Sequence, residues 1–296
     1  MKEIKVLPSN PGLENLCDIK PDVEFTCPDG LSQKMQVIMP WRLGENDTRR
    51  FPLIVFIQGS AWTKPNQCYE IPQLSEYARM GYVVATVTHR SAFEAKAPAF
   101  LVDVKSAIRY LRAHADEFLI DPERVCAWGT SSGGNTSLLV GVTGGMEEFD
   151  VGENLDQSSS VKCIIDCFGP TDLVKMVTKQ YAPKPGEPER EPKGPNLFEA
   201  LAGQKLSRED LSTLEPLARI SPVNYVEPGK DFPPFLILHG DADPVVLYED
   251  SLEMYEKLSD CGYDAEMIRI TGAPHEGSFW SVALHDEIKA WLKAHL

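Results

Sequence analysis

Several stretches of the chain are almost continuously apolar: LIVFIQG, YVVATVT, RVCAWG, KCIIDCFG and PFLILHG. Runs of this length fit strands covered on both faces, as in a parallel sheet between two layers of helices. QKMQVIMP alternates instead, and predicts a half-exposed strand of the antiparallel type. Between the runs the apolar period changes to three and four. In PAFLVDVKSAIRYLRAHADEF, residues Leu101, Val104, Ile108, Leu111, Ala115 and Phe118 make one helical stripe, and Pro98 suits its first turn. DPER after it predicts a turn. SLEMYEKLSDCG predicts a helix ended by Gly262, and Ser278 to His295 a last amphipathic helix. Strand, helix, strand in repetition predicts a doubly wound α/β sheet with right-handed crossovers. Ligands of such sheets bind where loops leave the carboxyl ends of the strands.

One segment breaks the rhythm. After PTDLVKMVTKQ comes YAPKPGEPEREPKGPN, rich in proline and charge, and no strand is obvious until PPFLILHG. Residues 172–224 are expected to be an insertion, either a small cap of one or two helices over the carboxyl ends or a mobile surface excursion. The 296 residues are otherwise expected to form a single domain.

Charge and cysteine narrow the function. A net charge of −15 leaves no basic face for phosphates, which argues against nucleic acid. No apolar run is long enough for a membrane span. The start, MKEIKVLPSNPGLENL, lacks the continuous apolar segment of a secretory leader, so a cytoplasmic location is expected. Seven cysteines cannot all pair within one chain, and Cys163 and Cys167 read as small buried apolar side chains. No histidine or second cysteine pair stands near them at ligand spacing, so no metal is expected. Cys17 and Cys27 could pair under oxidation.

The candidate chemistry lies in AWGTSSGGN. Gly129-Thr130-Ser131-Ser132-Gly133 is a G-x-S-x-G motif between a strand-like run and a plausible helix. That arrangement raises a serine on a sharp turn above a sheet, and its glycines keep the turn clear of the neighbouring strand and helix. There is no GK[ST] or GxGxxG, so a phosphate loop fits poorly. A serine hydroxyl needs a base and a group to orient that base. His275, in the loop TGAPHEGSFW before the last helix, is the candidate base. His239, at the end of its strand, is expected to face the core, and His89, His114, His285 and His295 are weaker still. Asp241 and Asp243, just beyond PFLILHG, are the candidate acids.

FIQGSAW, DVKSAIRYLRAHADEFLIDPERVCAWGTSSGGN, LILHGDADPVV and GAPHEGSFW together resemble esterases and lipases of the α/β-hydrolase superfamily. The nearest groups are the hormone-sensitive-lipase-like esterases and the bacterial acetyl- and feruloyl-esterase-like carboxylesterases. The resemblance covers roughly residues 35–170 and 230–296, with the motifs in the family's order. It implies a mostly parallel sheet with helices on both faces, and a triad of Ser131, His275 and Asp243. The acid follows from the family's HG-x-x-D-x-x-V pattern, which leaves Asp241 to shape the turn. Where the family often has HGGGW, this chain has Gln58-Gly59-Ser60-Ala61-Trp62. Amides of Ser60, Ala61 and Ser132 are the expected oxyanion donors, with Gln58 replacing the missing histidine as a loop anchor. Ser132 stands where alanine is common, and its amide rather than its hydroxyl is expected to matter. Trp62 is either a wall for an acyl group or sugar ring, or a packing residue.

The implied activity is hydrolysis of short-acyl esters, acetyl above all, on sugars, or of feruloyl esters. It needs no metal or organic cofactor. The implied partner is a small-molecule ester, and a homo-oligomer is compatible with the sequence. Two alternatives stand beside it. A peptidase of the prolyl-oligopeptidase type shares HG-x-x-D, but no propeller-length N-terminal region is seen. A binding protein of the hydrolase fold without turnover often lacks a triad member, and here all three are present.

Overall fold

The computed structural model describes residues 4–180 and 196–296. Its strands are β1 (Cys17–Thr26), β2 (Gln33–Pro40), β3 (Phe51–Ile57), β4 (Val83–Val87), β5 (Ile120–Thr130), β6 (Cys163–Cys167), β7 (Phe235–Gly240) and β8 (Ala265–Ile270). They form one 8-stranded sheet in the order β1-β2-β4-β3-β5-β6-β7-β8. β2 pairs antiparallel with both β1 and β4, and all the other neighbours are parallel. The continuous apolar runs are β3 to β7, the parallel centre of the sheet.

The main helices are α1 (Ile71–Arg79), α2 (Ala99–Ala113), α3 (Ser132–Val142), α4 (Leu197–Ala202), α5 (Tyr248–Asp260) and α6 (Val282–His295). Alternation along β3 divides the core in two. Leu53, Val55 and Ile57 pack with residues of α2, α3 and α5. Ile54 and Phe56 point the other way, into a cluster shared with α1 and α6. Burial of both faces is why these strands read as unbroken apolar runs.

Some elements differ from the sequence reading. β2 is antiparallel as expected but buried rather than half-exposed. Its polar positions bond inside: Gln36 exchanges two hydrogen bonds with Asp22, and Gln33 Oε1 accepts from Thr88. β1 was not foreseen. DPER lies within β5, where the pairing with β3 shifts register. The long helical stripe breaks at His114, followed by a short turn at Ala115–Phe118. The last helix starts at Val282, where the Ser281 hydroxyl caps it by accepting the Leu284 amide at 3.1 Å.

The expected cap at 172–224 includes residues 181–195, which lie outside the described residues. Its described part holds α4 and short helical pieces at Leu173–Lys175 and Glu215–Ala218. Leu201, Leu214, Leu217 and Ile220 are buried in the same cluster as α2 and α3. α2 also carries two cations inward. Lys105 donates to Thr143 O at 2.7 Å, and Arg109 binds Asp150 Oδ1 at 2.8 Å and the carbonyls of Val151 and Glu153. Among the described residues no helix is long and apolar enough to cross a membrane.

Candidate active site

Between β5 and α3 the backbone turns at Ser131 with φ 51° and ψ −122°. A side chain is strained there by about 1–3 kcal/mol, so the surroundings must enforce the turn. The flanking glycines show how. A Cβ on Gly129 would lie 2.0 Å from Gly133 O, and one on Gly133 would lie 1.9 Å from Ile57 O. The turn is pinned on both sides: Ser131 N donates to Cys167 O at 2.9 Å, and Asn135 N donates to Ser131 O at 3.0 Å.

His275 Nε2 lies 3.0 Å from Ser131 Oγ, and its Nδ1 lies 2.7 Å from Asp243 Oδ2. Asp243 Oδ1 accepts the amides of Val245 and Val246 at 2.8 and 3.1 Å. Burial pushes the Asp243 carboxyl up, but hydrogen bonds from His239, His275 and the Val245 amide outweigh it. Together they hold the group below the usual carboxylate range, hence ionised. Asp241 is elsewhere: it accepts the Gly272 amide at 2.6 Å and lies 3.6 Å from Arg269 Nε.

On the other side of Ser131, Ala61 and Trp62 have φ of 49° and 52°, a left-handed backbone usually left to glycine. The loop thus keeps a glycine-like course without the glycines. Gln58 Oε1 accepts the Asn66 amide at 2.6 Å, which closes the loop where the family's histidine is missing. Ser60 is not an open donor as expected, because its amide donates to Ser132 Oγ at 2.9 Å and its hydroxyl to Thr63 O at 2.6 Å. The amides of Ala61 and Ser132 have no acceptor among the described residues. Trp62 is 3% exposed and packs 6.4 Å from Phe100, in the core rather than on the site's surface.

The BD-FAE family model matches residues 40–258. The chain belongs to the BD-FAE family. Esterase LipC of Mycobacterium tuberculosis is 27% identical over 246 residues, 81% of this chain and 56% of LipC. The chain spans about half the length of the curated relatives it matches. Among solved structures, a truncated carbohydrate esterase from gut microbiota is 29% identical with TM-score 0.74, covering 94% of this chain and 96% of that one. A bifunctional GH43-CE protein of Bacteroides eggerthii is 26% identical with TM-score 0.78, covering 94% of this chain and 35% of that one. The fold is that of an α/β hydrolase.

Two residues of this BD-FAE site were not foreseen. His239, fully buried, lies 3.3 Å from Asp243 Oδ2 through Nε2, which also faces Val246 O at 3.0 Å. Two acceptors at Nε2 require the proton there, and Nδ1 lies 2.7 Å from Ser251 Oγ. The spacing of four residues in HGDAD was the available signal. Phe168, with φ 46°, sets its ring 4.6 Å from that of His275 and tilted 60° to it, and nothing in CFGP announced it. The remaining histidines bond elsewhere: His89 to Arg90 O, His114 to Tyr110 O, His285 to Tyr77 and His295 to Trp291 O. A cavity of about 320 Å³ is lined by Lys96, Pro98, Gln204, Ser212, Glu215 and Arg219, among others. None of Ser131, Asp243 and His275 lines it. Among the described residues no three His, Cys, Asp or Glu side chains group as metal ligands would.

Burial, with Glu276 nearby, pushes the Glu70 carboxyl up to about 7. A raised carboxyl favours the folded state at low pH, and that advantage is lost as pH rises from its unfolded value, 4.5, to about 7. Glu70→Gln should therefore raise the melting temperature above pH 7.5 and leave it nearly unchanged at pH 4.5. Melting curves across this range decide it; an equal shift at both ends would contradict the assignment.

Proposed function

We propose that this BD-FAE protein is a serine carboxylesterase, and the observation that carries the reading is the unbroken hydrogen-bond chain Ser131–His275–Asp243. Ser131 Oγ attacks the ester carbonyl while His275 Nε2 takes its proton. Asp243 holds the imidazole and offsets the charge of the imidazolium. The oxyanion of the tetrahedral intermediate accepts from the amides of Ala61 and Ser132, donors that typically contribute a few kcal/mol each. His275 then protonates the departing alcohol, leaving an acyl-enzyme on Ser131. Water, deprotonated by His275, attacks that acyl group and releases the acid and the free serine.

Short acyl groups on sugars are the proposed substrates, acetyl above all, with feruloyl esters as the other class. Two similar proteins support this: LipC is named an esterase, and the gut-microbiota structure is of a carbohydrate esterase.

The test is turnover of p-nitrophenyl esters of increasing acyl length, beside an aminoacyl-anilide, by the protein and by Ser131→Ala. Acetate to butyrate should be cleaved fastest, and Ser131→Ala should lose at least about a thousandfold in kcat. Ester turnover that persists in the variant would sink the mechanism. Preferred cleavage of the anilide would favour a peptidase, and binding without turnover a binding protein.

A further inference from the structure

The residues on either side of the nucleophile both reach the oxyanion loop. Thr130 Oγ1 accepts the Gly59 amide at 2.8 Å, and Ser132 Oγ accepts the Ser60 amide at 2.9 Å. Both hydroxyl-bearing residues are buried, at 0% and 2% exposure. We propose that Thr130 and Ser132 are positioning residues that clamp the oxyanion loop to the nucleophile turn, leaving a hole of two open donors, Ala61 N and Ser132 N. This inference rests on the esterase reading above.

The loop needs such a clamp because its backbone does not hold itself. Ala61 and Trp62 occupy left-handed conformations with Cβ atoms present, and such conformations persist only where surrounding contacts impose them. The other bonds close the far side of the loop: Gln58 to Asn66, Ser60 with Thr63 in both directions, and Ala92 N to Trp62 O. The two hydroxyls instead join the loop to the turn that carries Ser131. The approach is close, since a Cβ on Gly59 would lie 2.7 Å from Ser131 Cβ and 2.8 Å from Thr130 O. Successive amides of the strand end and loop thus have separate tasks. Those of Gly59 and Ser60 are spent on anchoring, and the next, Ala61, is the first left open.

An oxyanion donor stabilises the transition state only at hydrogen-bond distance from the oxygen's final position. A loosened loop therefore shows in kcat more than in KM. Thr130 offers a clean comparison, because valine keeps its shape and loses the acceptor, whereas serine keeps the acceptor and loses a methyl. Thr130→Val should lower kcat about tenfold, the size expected for one such hydrogen bond, with KM within about twofold. Thr130→Ser should stay within about twofold of the parent. Ser132→Ala should lose about as much as Thr130→Val, and the double variant more than the product of the two losses. Inhibition by an alkylboronic acid, which forms a tetrahedral adduct on the serine, should weaken in step with kcat.

The clamp is overturned if Thr130→Val keeps the parent kcat, or if Thr130→Ser loses as much as Thr130→Val, which would make the methyl's packing the cause. It is equally overturned if Ser132→Ala turns over faster than the parent, since the hydroxyl would then be withholding a third donor. Failure of the esterase reading looks different: the parent and Ser131→Ala would show the same ester turnover, and the clamp would fall with it.

Discussion

Asp243→Asn is expected to lower kcat by about four orders of magnitude, the scale seen when a triad acid loses its charge, while Asp241→Asn stays within about threefold. The two aspartates are two residues apart on one turn, yet their surroundings differ in kind. Asp243 meets His275 Nδ1 at 2.7 Å with a side chain fully removed from solvent, and both of its oxygens are engaged. An asparagine there would present an amide to an imidazole nitrogen that must carry a proton, and would favour the wrong tautomer. The neutral replacement would also leave the imidazolium of the transition state without its counter-charge. Asp241 ties the loop after β7 to the turn after β8 through the Gly272 amide, and asparagine can accept the same bond. Steady-state kinetics of both variants on an acetyl ester decide the matter, and a larger loss in Asp241→Asn would reverse the assignment.

Asp150→Ala is expected to destabilise the protein by about 3–5 kcal/mol, the usual cost of removing one partner from a buried ion pair. Lys105 and Arg109 bury their side chains to 0% and 1% exposure, and Asp150 is the carboxylate that faces both. Its removal leaves two cations in a low-dielectric interior. Burial already lowers the affinity of Lys105 for its proton, so part of the charge can be shed. Arg109 has no such escape. The carbonyls of Val151 and Glu153 that it binds lie on the same loop, which loses its anchor together with the charge. Asp150→Asn, which can still accept from Arg109, should lose less. Urea unfolding measures both, and a loss below about 1 kcal/mol for alanine would show that the carbonyls alone hold the pair.

What was legible in the sequence followed from how strongly a position is constrained. The parallel strands could be read because burial on both faces excludes polar residues, leaving runs such as LIVFIQG. The nucleophile turn could be read because sterics demand glycine where a Cβ would meet backbone at about 2 Å. β1 escaped notice because an edge strand tolerates Lys20, Pro21, Asp22 and Glu24, which also discourage pairing with another chain. β2 reads as half-exposed although it is buried, because glutamines can be buried when hydrogen bonds satisfy them. The role of Ser60 depends on which groups fold within 3 Å of it, a relation that a motif of spacings does not contain. Ser132 shows the same limit. The motif points to its amide and not to its hydroxyl, yet that hydroxyl meets an amide 72 residues away.

The division of the core into two clusters has a consequence for the growing chain. One cluster, around Trp128, Cys163, Ile165 and Leu236, is covered in large part by Leu284, Ile288, Trp291 and Leu292 of α6. During synthesis this face of the sheet stays wet until those residues emerge, although the strands beneath it were made long before. Phe168 and Phe279 belong to the same cluster, and Phe168 is also the ring against which His275 rests. In the proposed mechanism, the nascent protein therefore seats its base only as it closes its second layer. On that reading a half-made chain, sticky on one side, carries the proposed nucleophile without the base that would take its proton.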